Sequence, residues 1–385
     1  MPRPKYDIDA WRRRIPLLRT TIPMNNCSQA PQTDATRAAA DHYLDMWNRQ
    51  GMDWDAWMAE TQLAKQAFAA LVNAHVDEIA VFSSVSDATN AIASALDFSA
   101  GRSAIVASEA EFPTVGHVWL AQQPRGARVK WVPVRDGQVD PNDYDAALGS
   151  DTAIVSACHG YYMNGATQDP ADLAARSHAA GALLYVDAYQ TLGAVPVDVK
   201  ALDVDFLSSG NLKYLMGVPG IAFMYVRPEL IERLRPTVTG WFGRANPFAF
   251  DAKTLDWSAT ASRFDSGTPA IMNAYIARAG MDLVHGIGVE AIRHWHTVLA
   301  HRLIDGGRAR GLILHGGTDV TRKTASTAFM VPDSHAVEVA MRKRGVLPSA
   351  RGEVIRLAPH FYNTIDDVDS ALDALVGALG DTGAV

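Results

Sequence analysis

An acid and a lysine, each closing an apolar run, carry the most specific chemistry in this sequence. The run Ala182-Leu183-Leu184-Tyr185-Val186 ends in Asp187-Ala188-Tyr189-Gln190. Further on, Asp205-Phe206-Leu207-Ser208-Ser209-Gly210-Asn211-Leu212 leads into Lys213, and Tyr214-Leu215-Met216-Gly217-Val218-Pro219-Gly220 and another apolar run follow. Apolar surroundings desolvate an amine, lower its pKa and favour the free base that forms Schiff bases. Each residue alone has a plainer reading, the acid as a solvated turn residue and the lysine as a surface cation. As a pair at the ends of successive strands they match the needs of pyridoxal phosphate. The lysine holds the aldehyde, and the acid keeps the pyridine nitrogen protonated so that the ring accepts electrons.

The elements that must position this pair read as an alternation. Short apolar segments are expected as strands at Ile79–Ser83, Ser103–Ala107, Val129–Val134, Thr152–Ala157, Ala182–Val186, Phe206–Ser208 and Gly220–Val226. Helical patterns fall between them at Ala88–Leu96, Pro113–Gln122, Pro141–Leu148, Pro170–Ala180 and Val199–Leu202. Strands apolar on both faces and separated by helices predict an α/β fold with a mostly parallel sheet, whose ligands gather at the strands' carboxyl ends. After Pro269 the texture changes to long helices at Ile271–Leu283 and Val289–Arg302. Strands at Leu312–His315, Thr327–Val331 and Val354–Leu357 then alternate with helices at His335–Lys343 and Ile365–Leu379. The expected division is a large domain over 20–270 and a smaller α+β domain over 271–385, with 1–19 packing on either.

Composition narrows the class. The chain has 385 residues, 48% of them hydrophobic, and a formal net charge of −7 without a basic stripe, which argues against nucleic acid as a partner. Two cysteines, Cys27 and Cys158, exclude a disulfide scaffold and a Cys-rich metal site and suit a reducing, cytoplasmic compartment. No apolar run reaches the roughly 18 residues of a membrane span. The basic N-terminus lacks the apolar core of a secretory signal. A dinucleotide-binding oxidoreductase would fit the parallel sheet, but no G-x-G-x-x-G follows an early strand.

Eight motifs in order make the resemblance specific. They are Met24-Asn25-Asn26-Cys27-Ser28, Phe82-Ser83-Ser84-Val85-Ser86-Asp87, Glu111-Phe112-Pro113-Thr114, Val186-Asp187-Ala188-Tyr189-Gln190, Lys213-Tyr214-Leu215, Gly240-Trp241-Phe242-Gly243, Ser266-Gly267-Thr268-Pro269, and Arg356-Leu357-Ala358-Pro359-His360-Phe361-Tyr362-Asn363. From about Met24 to Leu379 the sequence resembles the class V aminotransferases. These fold-type I pyridoxal-phosphate enzymes include cysteine desulfurases, kynureninases and isopenicillin-N-epimerase-like proteins. The resemblance implies a mostly parallel seven-stranded sheet with a smaller C-terminal domain, and Lys213 as the Schiff-base lysine.

It also implies roles for individual residues. Val85 and Ser86 would present backbone N–H groups and a helix dipole to the phosphate, a geometry shared with an ordinary serine cap. Phe112 would stack on the cofactor ring, Gln190 would bond its phenolic oxygen, and Trp241 and Thr268 would contact the phosphate. Thr268 would do so from a second subunit, which implies a homodimer with shared sites. Arg356, between apolar neighbours, would bind the substrate's α-carboxylate, with a structural ion pair as the alternative. Ser28, His159 and Arg351 are expected on the substrate side with Tyr161 and Asn164; Arg351 would take a second acidic group or stay a surface residue.

Two departures modify the picture. Relatives often place His or Tyr just before the lysine to help hold the phosphate; here that residue is Leu212, so Ser209 or Asn211 is expected to complete the cup. The loop Gly345–Glu353 has no cysteine, which disfavours persulfide-forming desulfurase chemistry. The expected activity is transamination or Cβ-elimination on an α-amino acid. An epimerase is the alternative, and kynureninase is less favoured because Leu212 and Gln190 replace its usual Tyr and His. A cofactor-free binding protein on the same fold is the alternative from another class.

Overall fold

The computed structural model describes residues 2–99 and 101–381, so the last residues of the expected small domain, 382–385, lie outside the described residues. Seven strands build the main sheet: β1 Ile79–Phe82, β2 Ala104–Ser108, β3 Arg128–Val132, β4 Thr152–Cys158, β5 Leu183–Asp187, β6 Phe206–Gly210 and β7 Ala222–Val226. Their order is β1-β7-β6-β5-β4-β2-β3. β7 runs antiparallel to β1 and β6, and the remaining pairings are parallel.

Side-chain alternation divides each strand between two cores. Val106, Val155, Leu184, Leu207 and Phe223 face one core, which also takes Phe68, Leu173 and Met281 from helices. Ile105, Ile154, Tyr185, Phe206 and Met224 face the other, beside Ile92, Val115 and Trp119. With both faces covered, the strands read as continuous apolar runs, and for that reason they are visible in the sequence.

A second sheet is antiparallel, with strands β8 Leu314–His315, β9 Thr327–Met330, β10 Ser349–Arg351 and β11 Val354–Leu357 in the order β10-β11-β9-β8. Helices Val289–Ala309, Ser334–Lys343 and Ile365–Asp381 cover it through Leu299, Leu303, Met341, Leu372 and Leu375. Met24 joins this core, and Ile22–Pro23 pairs in parallel with Val346–Leu347. The N-terminal residues tie both bodies together. Ile15 is buried in the main core, while Arg12 ion-pairs with Asp367 at 2.5 Å.

Two helices, Asp34–Gln50 and Trp54–Val72, were not among the sequence expectations; the structure caps them with Thr33 and Asp53. Helix Ile271–Ile287 contributes Ala274, Ala277 and Met281 to the main core. The expected helix Val199–Leu202 is a turn instead. Asp198 accepts from the Lys200 and Ala201 N–H groups, and Asp203 leaves the turn at a φ of 53°, which a helix cannot continue.

Candidate active site

Because β5 and β6 are parallel neighbours with Asp187 opposite Ser208, their carboxyl ends bring Asp187 and the Lys213 loop together. Lys213 is 9% exposed. Its Nζ lies 3.9 Å from the Tyr189 ring centre and 5.8 Å from that of Phe112. Burial pushes the amine's pKa down to about 8; Asp187 pulls it back up, and Arg356 and Arg351 press it lower. Burial raises the pKa of the Asp187 carboxyl, while a 2.8 Å bond from the Tyr189 N–H and the nearby Lys213 hold it down. A buried acid thus faces a desolvated amine, in the arrangement the two apolar runs imply.

Arg356 is 1% exposed. Its Nη1 donates to the Tyr162 carbonyl at 2.7 Å, and its Nη2 donates to Ser349 Oγ at 2.6 Å and Ser28 Oγ at 3.0 Å. The two serine hydroxyls lie 2.7 Å apart. No carboxylate pairs with Arg356 among the described residues, so the structural ion pair considered from the sequence is not present. Ser28 arrives by the Met24–Ala30 segment, which bridges Ala358 and ends with the Ala30 N–H on the Leu212 carbonyl at 2.9 Å. Ser349 and Tyr162 escaped the sequence reading; alternation along the 349–351 strand would have put Ser349 and Arg351 on one face.

The helix after β1 starts at Val85, and its cap is Ser84, whose hydroxyl accepts from the Asp87 N–H. Ser86, the cap in the alternative reading, occupies the first turn, with Oγ 2.6 Å from Thr114 Oγ1. The N–H groups of Val85 and Ser86 belong to the first turn, where helices have no internal partners to offer. Phe112 is 41% exposed, with Tyr162 edge-on to its ring at 5.2 Å. Gln190 is buried and donates to the Cys27 carbonyl at 3.0 Å.

Ser209 spends its hydroxyl on the Gly210 carbonyl at 2.9 Å. His159 is buried with Nδ1 2.9 Å from Thr191 Oγ1, and burial lowers its pKa to about 4. Asn164 donates to the Gly137 carbonyl at 2.7 Å. Arg351 is exposed and among the described residues bonds only the adjacent Ala350 carbonyl, while β10–β11 register puts its side chain on the same face as Arg356. Trp241 packs among Trp54, Phe242, Phe248 and Phe250, next to the loop of exposed Thr268.

The sequence profile of the Aminotransferase class-V family matches residues 28–370. The chain belongs to this family. It is 35% identical over 372 residues to the uncharacterized aminotransferase YcbU of Bacillus subtilis, covering 95% of this chain and 97% of that protein. It is 28% identical to the kynureninase of Pseudomonas fluorescens over 342 residues, 86% of this chain and 80% of the relative. In fold it matches the apo structure of a cysteine desulfurase from Thermococcus onnurineus NA1 with a TM-score of 0.88 at 20% identity, over 99% of both chains. This class V protein is a pyridoxal-phosphate-dependent enzyme, so the cofactor-free and dinucleotide-binding alternatives fall away. Its residues fit the cofactor: a desolvated lysine, a buried acid, an open aromatic ring and a buried arginine without a counterion among the described residues converge on one place. No helix of the described residues is long and apolar enough to cross a membrane.

Proposed function

We propose that this class V enzyme carries out transamination or Cβ-elimination on a small or medium α-amino acid whose carboxylate is held by Arg356. The observation that carries this reading is the buried Arg356 guanidinium, bonded to hydroxyl and carbonyl oxygens and to no carboxylate among the described residues. An uncompensated buried charge costs several kcal/mol, about what a bidentate carboxylate would offset. Pyridoxal phosphate supplies the aldehyde that takes up the amino group and the ring that accepts electrons from Cα.

The chain's own residues do the rest. Lys213, with its proton affinity lowered by burial, holds the cofactor and then takes the Cα proton on Nζ. Asp187 pairs with the ring nitrogen. Phe112 covers the ring, Gln190 bonds the phenolic oxygen, and the Val85 and Ser86 N–H groups receive the phosphate. Arg351 takes a second acidic group on the substrate. Trp241 contacts the phosphate, and Thr268 reaches the partner's site in a homodimer; the exposure of Thr268, on a loop joined to the Trp241 segment by the Phe242 N–H on the Ser266 carbonyl at 3.1 Å, supports that assignment. The buried free thiols of Cys27 and Cys158 suit the cytoplasm.

Desulfurase chemistry needs an accessible thiol. Both cysteines are buried, and Cys158 Sγ bonds the Ala110 carbonyl at 3.3 Å. The deciding experiment incubates the holoenzyme with a panel of amino acids, with and without a keto-acid acceptor. A new amino acid from the acceptor marks transamination, and ammonia with pyruvate marks elimination. Loss of optical rotation alone would replace both with the epimerase reading, and sulfide or anthranilate would replace them with desulfurase or kynureninase.

A further inference from the structure

Leu212 offers no polar group beside the lysine, yet the phosphate end of the site is not left without a side-chain donor. The Tyr189 ring lies over Gly210, which pairs with Ala222, itself paired with Phe82 at the end of the strand that leads to helix Val85–Ala95. It packs against the core that holds Phe82, Val85 and Ala222. Gly210 makes room for it: a Cβ there would collide with Cε2, Cζ and the hydroxyl oxygen of Tyr189. The Leu212 backbone lies close enough to that phenol to lower its pKa, which puts the hydroxyl beside the position where Leu212 has no side-chain donor of its own. The phenolic proton has no protein acceptor among the described residues, and burial raises the phenol's pKa, so the group stays a donor. Of the two residues expected to fill this place, Ser209 donates to the Gly210 carbonyl. The Asn211 side chain is fully buried against Gly217 with neither polar atom hydrogen-bonded among the described residues, and it is the rival donor.

We propose that the Tyr189 hydroxyl donates to the cofactor's phosphate, completing from the Asp187 turn a cup that the residue before the lysine cannot complete. The proposal rests on the placement of the phosphate at Val85 and Ser86. Its ring, 3.9 Å from Lys213 Nζ, is within reach of whatever the lysine carries.

The test titrates apo-protein with pyridoxal phosphate and, separately, with pyridoxal, which lacks the phosphate, following the visible Schiff-base band. Tyr189→Phe keeps the ring and removes only the hydroxyl. It is expected to weaken pyridoxal phosphate about tenfold, as loss of one hydrogen bond to a charged group does, and to leave pyridoxal unchanged. The phosphorus NMR shift of bound cofactor should move in the same variant, and Gly210→Ala, which displaces the ring, should repeat the phosphate-selective loss. Unchanged affinity, equal weakening of both ligands, or a phosphate-selective loss in Asn211→Ala instead would overturn the assignment. A wild-type protein that develops no band overturns the cofactor reading itself, and this proposal with it.

Discussion

Ser349 stands directly across the β10–β11 hairpin from Arg356, and its Oγ accepts from Arg356 Nη2 at 2.6 Å. With Ser28 it forms a pair of hydroxyls that hold the guanidinium plane in place before any substrate arrives. Neither hydroxyl neutralises the charge, so the arginine stays available for a carboxylate.

Arg356→Ala should therefore raise KM on the order of a hundredfold, since two charge-assisted hydrogen bonds are lost. Ser349→Ala leaves the charge and loosens its aim, and should raise KM only about three- to tenfold with little change in kcat. Steady-state kinetics on both variants checks this. An unchanged KM in Arg356→Ala would remove the arginine from substrate binding.

The Lys213 amine has a pKa near 8 because burial outweighs the pull of Asp187. Below that pH it carries a proton and has no lone pair to offer. The rate at which apo-protein captures pyridoxal phosphate should rise with pH through about 8 and level off above it, well below the range of an ordinary lysine. Asp187→Asn removes the anion that favours the ammonium form, so the inflection should move to lower pH. Stopped-flow absorbance across the pH range reads both, and an inflection near 10 in wild-type protein would contradict the burial argument.

The main sheet and the Asp187–Lys213 pair were legible because fully buried strands write themselves as apolar runs and parallel sheets place ligands at strand ends. Helix Asp34–Gln50 was not legible, since it buries only Thr36 and leaves Leu44 and Trp47 exposed, so no apolar stripe marks it. Ser349 was missed because its partnership with Arg356 depends on hairpin register, set by the turn at Gly352 and Glu353 rather than by spacing alone. The place of the Tyr189 ring was not legible, because it depends on a glycine distant in sequence, Gly210. Residues at strand ends follow from the pattern of apolar runs, whereas those placed by tertiary contact do not.

Arg351 and Arg356 share one face of the hairpin, and neither pairs with a carboxylate among the described residues. If Arg351 receives an acidic side chain, Arg351→Ala should lower kcat/KM for acidic amino acids about tenfold while sparing neutral ones, as loss of a partly exposed charged contact does. Paired measurements on one acidic and one neutral substrate give the ratio. Equal losses for both would leave Arg351 without a role in selectivity.

Gly280 and Gly286 lie on the same helix, Ile271–Ile287, and separate two effects of adding a methyl group. Alanine is favoured over glycine within a helix by about 1 kcal/mol. At Gly286 an added Cβ meets nothing within 4 Å, so Gly286→Ala should gain up to that amount. At Gly280 the Cβ would run into the Leu215 carbonyl oxygen and approach the Met216 carbonyl carbon to 3.0 Å. These are backbone atoms that no rotamer change can move. Met216 already sits at a φ of 59°, and its N–H bonds the Lys213 carbonyl at 3.1 Å, so a push there reaches the lysine loop. Overpacking of this kind costs roughly 1–3 kcal/mol, which outweighs the helical gain. Gly280→Ala should thus lower stability by up to about 2 kcal/mol, set by these opposing terms, and should loosen cofactor retention. Urea unfolding of both variants, with cofactor release followed by absorbance, checks the argument. A Gly280→Ala protein as stable as Gly286→Ala would mean that the helix does not brace the lysine loop.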